Sequence, residues 1–171
     1  MTDTPEPVWE GKYLKVLKQG TWEYAGRTRG IQAAAIIAIH QGQLILIDQF
    51  RVPLGRRTLE LPAGLVGDET EGESVEASAA RELEEETGYR AERIEQLGFF
   101  HASPGMVSEG FTLVRAHGLT RTGDGGGVEG EGITVHHVLL AEIPAYIEAR
   151  RAEGMAIDVK LLLFLSSTFL D

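Results

Sequence analysis

The first half of the chain runs as short apolar stretches broken by turn signals. Lys12 to Val16 and Thr21 to Tyr24 predict two short strands around the turn pair Gln19-Gly20. A lone hairpin is marginal in water, so this one must dock on the body of the protein or on a second subunit. Ala33 to Ile39 and Leu44 to Phe50 predict a second hairpin around Gln41-Gly42. Their nearly unbroken apolar character marks strands buried on both faces. Leu59-Glu60-Leu61 predicts a third short strand, ended by Pro62.

The period then changes from strand to helix. A helix is predicted from about Glu73 to Thr87, acidic at its start and stopped by Gly88. Val75, Ala79 and Leu83 recur at helical spacing and form its buried stripe. Ile94 to Ala102 and Phe111 to His117 predict strands, with Ser103-Pro104-Gly105 as a break between them. Arg121 to Gly132 is a glycine-rich acidic loop, and Ile133 to Leu140 a strand. Ile143 to Ala152 predicts a helix that tolerates Pro144 in its first turn. A last helix, about Asp158 to Phe169, closes the core. No internal repeat is visible, and the order of elements fits an α+β sandwich.

A length of 171 residues bounds this to one domain with at most a small appendage, and 43% apolar content suffices for a core. The net charge of −10 argues against a nucleic-acid surface, which needs clustered Lys and Arg. It leaves room for a phosphate-bearing small molecule, because divalent metals bridge acid to phosphate. There is no cysteine, hence no disulfide or thiol chemistry. The N-terminus, Met1 to Pro7, is acidic and Pro-rich, unlike a secretory signal. The apolar run Leu161 to Leu165 is far too short to span a membrane. A soluble cytoplasmic protein is the expectation.

The candidate chemistry lies on the helix. Glu82 and Glu86 stand four residues apart, one above the other on a helical face, and Glu85 joins them. Like charges at this spacing weaken a helix, and a bound cation would convert that cost into a use. Hard carboxylate oxygens suit Mg²⁺ or Mn²⁺. The plainer reading is a solvated acidic face, although only Arg81 stands nearby to support it.

The spacing Gly67-x5-Glu73-x7-Arg81-Glu82-Leu83-x-Glu85-Glu86-x-Gly88-Tyr89 resembles the signature of the Nudix hydrolase superfamily. Tyr89 stands where a bulky aliphatic residue is usual. The resemblance implies the Nudix fold, a mixed β-sheet between α-helices, here with residues 1–30 as an N-terminal β extension and 31–171 as the hydrolase domain. It implies Glu82 and Glu86 as main metal ligands and Glu85 as a ligand or catalytic support, with Arg81 orienting a neighbouring carboxylate. Further resemblance, to the ADP-ribose pyrophosphatase subfamily, rests on segments outside the signature. Pro62-Ala63-Gly64 implies a metal-ligating carbonyl on Ala63. Glu129-Gly130-Glu131 implies Glu129 as general base and Glu131 as metal ligand or support. Pro104, fifteen residues beyond Tyr89, matches the subfamily's marker proline. Trp22-Glu23 matches a pair that stacks on and hydrogen-bonds the base, although a core tryptophan in a hairpin would look the same. Arg51 matches a diphosphate-binding arginine, and Glu109 a glutamate near the terminal ribose or metal.

The implied activity is Mg²⁺- or Mn²⁺-dependent hydrolysis of ADP-ribose or a related ADP-sugar to AMP and a sugar phosphate. The implied assembly is a homodimer whose N-terminal strands cross to the partner. Action on other nucleoside diphosphate sugars such as GDP-mannose, or on dinucleotides, stays open. So does a non-catalytic nucleotide sensor, although that would more often carry a degraded signature. In the loop, Gly125-Gly126-Gly127 suits a lid that closes on substrate and equally a mobile connection.

Overall fold

The computed structural model describes residues 4–29, 31–67, 72–128 and 130–170. Strands β1 (Glu6–Glu10), β2 (Leu14–Gln19) and β3 (Trp22–Arg27) form an antiparallel three-stranded sheet. The predicted hairpin therefore has a third strand, drawn from the Pro-rich N-terminal segment. Pro7 is tolerated because β1 is an edge strand, and the ladder shifts register between Pro7 and Trp9. The sheet docks on the body of the same chain through β3. Ala25 N–H donates to Met106 O (3.0 Å), Ser108 N–H donates to Ala25 O (2.9 Å), and Arg27 Nε donates to Glu109 Oε1 (2.7 Å).

The body follows as β4 (Gln32–His40), β5 (Gln43–Arg51), β6 (Arg56–Glu60), β7 (Ala63–Val66), α1 (Val75–Thr87), β8 (Tyr89–Arg90), β9 (Arg93–His101) and β10 (Gly110–His117). Then come β11 (Thr120–Arg121), β12 (Thr134–Leu139), α2 (Ile143–Ala152), β13 (Ala156–Ile157) and α3 (Ser166–Leu170). The main sheet runs β13-β6-β5-β4-β10-β9, with β12 also pairing β5 and β7 also pairing β4. It is mixed, because β10 lies parallel to β4 and β13 parallel to β6 while the other pairs are antiparallel.

Both faces of the central hairpin are buried, as its apolar run predicts. On β4, Ala34, Ile36 and Ala38 face one core while Ile37 faces the other. On β5, Ile45 joins the first core, and Leu44 and Leu46 join the second. The first core packs Ala79 and Leu83 of α1 against the small residues of β4. The second gathers Ile143 and Ile147 of α2 with Leu161 and Leu165 from the C-terminal turns. The sheet is thus covered by helix on each side.

Several boundaries move. Helix α1 starts at Val75 rather than Glu73, because Ser74 is its N-cap and its side chain accepts from Ala77 N–H (3.2 Å). Gly88 stops it as predicted, in a left-handed conformation (φ 72°) with its N–H on Glu84 O. Pro62 does not end the sheet: β7 resumes at once and pairs with β4 from Gln32↔Val66 to Ala35↔Ala63. The predicted last helix is instead a 3-10 stretch, Val159–Leu165, followed by α3. Asp158 caps that stretch by accepting from Lys160 N–H (2.8 Å). Among the described residues no helix is long and apolar enough to cross a membrane.

Candidate active site

Helix α1 presents its carboxylates beside the apolar stripe, against the start of β7. Glu86 is 4% exposed, and its Oε2 accepts from Ala63 N–H (2.9 Å). Gly64 comes next, and any Cβ there would overlap the Glu82 carboxylate. The Pro-Ala-Gly segment is thus shaped around the helix. Pro62 breaks the ladder, Ala63 supplies an N–H, and Gly64 leaves room for a second acid.

Arg81 lies within this cluster. Its Nη1 donates to Glu85 Oε2 (3.2 Å), and its Nη2 lies 3.1 Å from Glu82 Oε1 and 3.7 Å from Glu73 Oε2. One guanidinium therefore orients three signature carboxylates at once. Burial pushes Glu86 up to about 8, and Glu82 and Glu131 push the same way against the Ala63 N–H and Arg51. Burial likewise raises Glu82, opposed by Arg81 and reinforced by Glu85 and Glu131. Without a counter-cation, burial therefore favours the protonated form of Glu86 at neutral pH.

Glu131 reaches the same place from the acidic loop. With Glu82, Glu85, Glu86, Arg81 and Arg51 it lines a cleft of about 300 Å³. Its Oε2 accepts from Val128 N–H (3.0 Å). Glu129, read from the sequence as the base, lies outside the described residues. The glycine run before it is docked rather than loose. Gly126 N–H donates to Glu86 O (2.8 Å) and Gly127 N–H to Glu85 O (3.0 Å), so the loop satisfies carbonyls that a helix end leaves open. Gly125 (φ 69°) sits so close to the Thr87 backbone that a Cβ would overlap it.

These residues fit a divalent cation by chemistry. The donors are all oxygens, and the most buried carboxylate has only one N–H partner. Among the described residues no three His, Asp or Glu side chains yet stand in a coordinating array. The reason is visible: Arg81 holds Glu82 and Glu85, while Ala63 holds Glu86.

Arg51 lines the cleft at the end of β5. It makes a forked pair with Glu60, Nε to Oε1 (2.7 Å) and Nη2 to Oε2 (2.6 Å), which raises its pKa further. Glu60 is 4% exposed and went unremarked in the sequence, where it read only as a strand residue. An acid between two leucines in a buried strand was the available signal. Arg51, Ala63, Gly64 and Leu65 also wall a neighbouring cavity of about 490 Å³ that Arg27, Asp158 and Lys160 help to line. Trp22 and Pro104, far apart in sequence, meet in a separate pocket of about 390 Å³ with Tyr24 and Val107. Trp22 is 52% exposed, so it is not a core tryptophan. Glu23 is exposed beside it, and Glu109 is engaged with Arg27 rather than with the carboxylates of α1. Tyr89, the departure from the usual aliphatic, is buried between the rings of His40 and His137 at 5.2 and 5.6 Å.

The chain is similar to known proteins in sequence and in fold. Residues 29–153 match the NUDIX domain. A methanol dehydrogenase activator from Bacillus methanolicus is 33% identical over 154 residues, spanning 85% of this chain and 82% of that protein. An ADP-ribose pyrophosphatase from Bacillus subtilis is 44% identical over 78 residues, spanning 45% of this chain but only 40% of that enzyme. The crystal structure of an ADP compounds hydrolase superposes with a TM-score of 0.71 at 25% identity, covering 96% of this chain and 90% of that one.

Proposed function

From the premise that this chain belongs to the NUDIX family, whose domain it matches over residues 29–153, we propose that it hydrolyses the diphosphate of ADP-ribose or a related ADP-sugar. The products are AMP and a sugar phosphate. The observation that carries this reading is the cluster of Glu82, Glu85 and Glu86 around Arg81, seated on Ala63 and Gly64 and faced by Glu131.

Glu82, Glu85, Glu86, Glu131 and the Ala63 carbonyl would hold Mg²⁺ or Mn²⁺, which would supply positive charge to offset that of the diphosphate. The chain's own residues do the rest. Arg51 binds diphosphate oxygens, and its pairing with Glu60 holds the guanidinium in place beforehand. Arg81 keeps the carboxylates together. Glu129 takes the proton from the attacking water. Trp22 offers its exposed face to the purine, Glu23 bonds the base, and Pro104 closes the pocket opposite. Glu109 acts through Arg27, whose guanidinium it fixes at the rim of the larger cavity.

Residues 1–30 form the extension and 31–171 the hydrolase domain in this reading, and the active form is a homodimer joined through the extension. Exposed Val8, Trp9 and Leu14 on the N-terminal sheet, with exposed Tyr13 in the connection between β1 and β2, support the dimer. Light scattering tests it, and a fully active monomer would refute it. A cytoplasmic location belongs to the same reading, and cell fractionation tests it.

The decisive experiment is a substrate panel with Mg²⁺ and with Mn²⁺. ADP-ribose, ADP-glucose, GDP-mannose and a diadenosine polyphosphate are compared by chromatographic release of mononucleotide. ADP-ribose is expected to give AMP and ribose 5-phosphate at the highest kcat/KM. No turnover of it with either metal ends the proposal, and preference for GDP-mannose replaces it.

A further inference from the structure

Beyond the residues already named, β5 carries one charge where an apolar side chain would be expected. Asp48 follows the buried run Leu44 to Ile47 and is 3% exposed. A buried carboxylate persists only when paired. Asp48 has two partners. Arg57 Nε donates to its Oδ1 in a very short contact, and His136 Nε2 lies 2.5 Å from its Oδ2. Such buried ionic groups contribute little net stability compared with apolar residues of the same volume. Their effect is better sought in what they hold.

What they hold is the acidic loop. Arg57 Nη2 extends past Asp48 to Gly132 O (2.9 Å) and Thr134 Oγ1 (3.0 Å), and also donates to Asp48 O (2.8 Å). Gly132 directly follows Glu131. At the other end, Gly126 and Gly127 are bonded to the last carbonyls of α1. Glu131 is therefore flanked by two fixed points, Gly126 and Gly127 on the helix that bears the signature glutamates and Gly132 on Arg57. A tether at both ends sets where the Glu131 carboxylate can go.

We propose that Arg57, locked by Asp48 and His136, is a positioning residue that holds the C-terminal root of the acidic loop so that Glu131 faces the carboxylates of α1. The inference rests on the reading of Glu131 as a ligand of the divalent ion. It assigns Arg57 no contact with substrate. The planar fork matters, because one guanidinium reaches the carboxylate, a carbonyl and a hydroxyl together, which a lysine ammonium does not reproduce.

Arg57→Gln tests it in the full-length protein, with Mn²⁺ alone as the probe. Mn²⁺ binding, read by electron paramagnetic resonance without substrate, is expected to weaken about ten- to a hundredfold, the usual effect of losing a group that orients a ligand. In turnover, kcat for ADP-ribose is expected to fall by a similar factor with KM unchanged. Arg57→Lys recovers only part of the loss. The double variant Arg57→Gln/Glu131→Gln is expected to be no worse than Glu131→Gln alone, because both changes remove one function. Wild-type Mn²⁺ binding in Arg57→Gln, or losses that multiply in the double variant, overturns the proposal. Asp48→Asn/Arg57→Gln removes the stranded charge while still untethering Gly132, so it gives the same readings should Arg57→Gln not fold. A protein that binds Mn²⁺ but leaves ADP-ribose intact sinks the proposed substrate, while the Mn²⁺ measurements still decide the role of Arg57.

Discussion

Replacing Glu86 with Gln separates the cost of the acidic cluster from its use. In the folded, metal-free protein burial raises Glu86 to about 8, against 4.5 as the ordinary value. Between those limits the folded chain holds a proton that the unfolded chain has released. Folding stability from this group is therefore complete below about pH 4.5 and is lost as pH rises toward 8. The limiting slope is about 1.4 kcal/mol per pH unit, and integration from pH 5 to pH 8 gives a loss of roughly 3–4 kcal/mol. Glutamine carries no charge at any of these pH values, so Glu86→Gln removes the slope. Urea denaturation followed by circular dichroism, in EDTA across pH 5–8, measures it. The expected result is a wild-type stability that falls relative to the variant by that amount. Parallel curves would refute the electrostatic reading of the site. Mg²⁺ at a hundredfold excess over its Kd should return about 2.7 kcal/mol to the wild type at pH 8, and much less to Glu86→Gln.

Gly64→Ala should push the Glu82 carboxylate aside and cut kcat for ADP-ribose at least tenfold while the protein stays folded, as steady-state kinetics would report. Trp22→Ala should raise KM roughly ten- to a hundredfold with kcat unchanged, since stacking a base on an aromatic ring is worth about 1–3 kcal/mol. The same substitution should not weaken Mn²⁺ binding, because Trp22 lines a pocket that shares no residue with the glutamate cleft. Ser74→Ala should cost about 1 kcal/mol of unfolding free energy through loss of the helix cap, with kinetics per folded molecule unaffected.

The site was legible where it depends on spacing along one helix. Glu82, Glu85 and Glu86 are close together because helical geometry brings them there, and Leu83 marks the buried stripe that runs beside them. The central hairpin was legible for a similar reason, since an apolar run without alternation has to be covered on both sides. What escaped depends on contacts across the sheet. Strand β7 was hidden because Pro-Ala-Gly is also a good turn, and only its pairing with β4 makes it a strand. Strand β1 was hidden because proline usually argues against a strand, and an edge position removes that objection. The glycine run looked free because its partners, the carbonyls of Glu85 and Glu86, carry no sequence signal. Asp48 did carry one, a charge beside four buried apolar residues, but nothing local names Arg57 and His136 as its partners.

Helix α1 seals a core with Ala79 and Leu83 and aims acids with Glu82 and Glu86, all within two turns. Inserting a single residue after Leu83 would swing Glu86 by about 100° away from Ala63 while leaving the apolar side in register. No such change can retune the chemistry without dismantling it. If the proposed function holds, what this scaffold cleaves is set from elsewhere, and the lined cavities offer the tip of β3, the turn around Pro104 and the rim at Asp158 and Lys160. Descendants should differ at those margins and share this helix almost letter for letter.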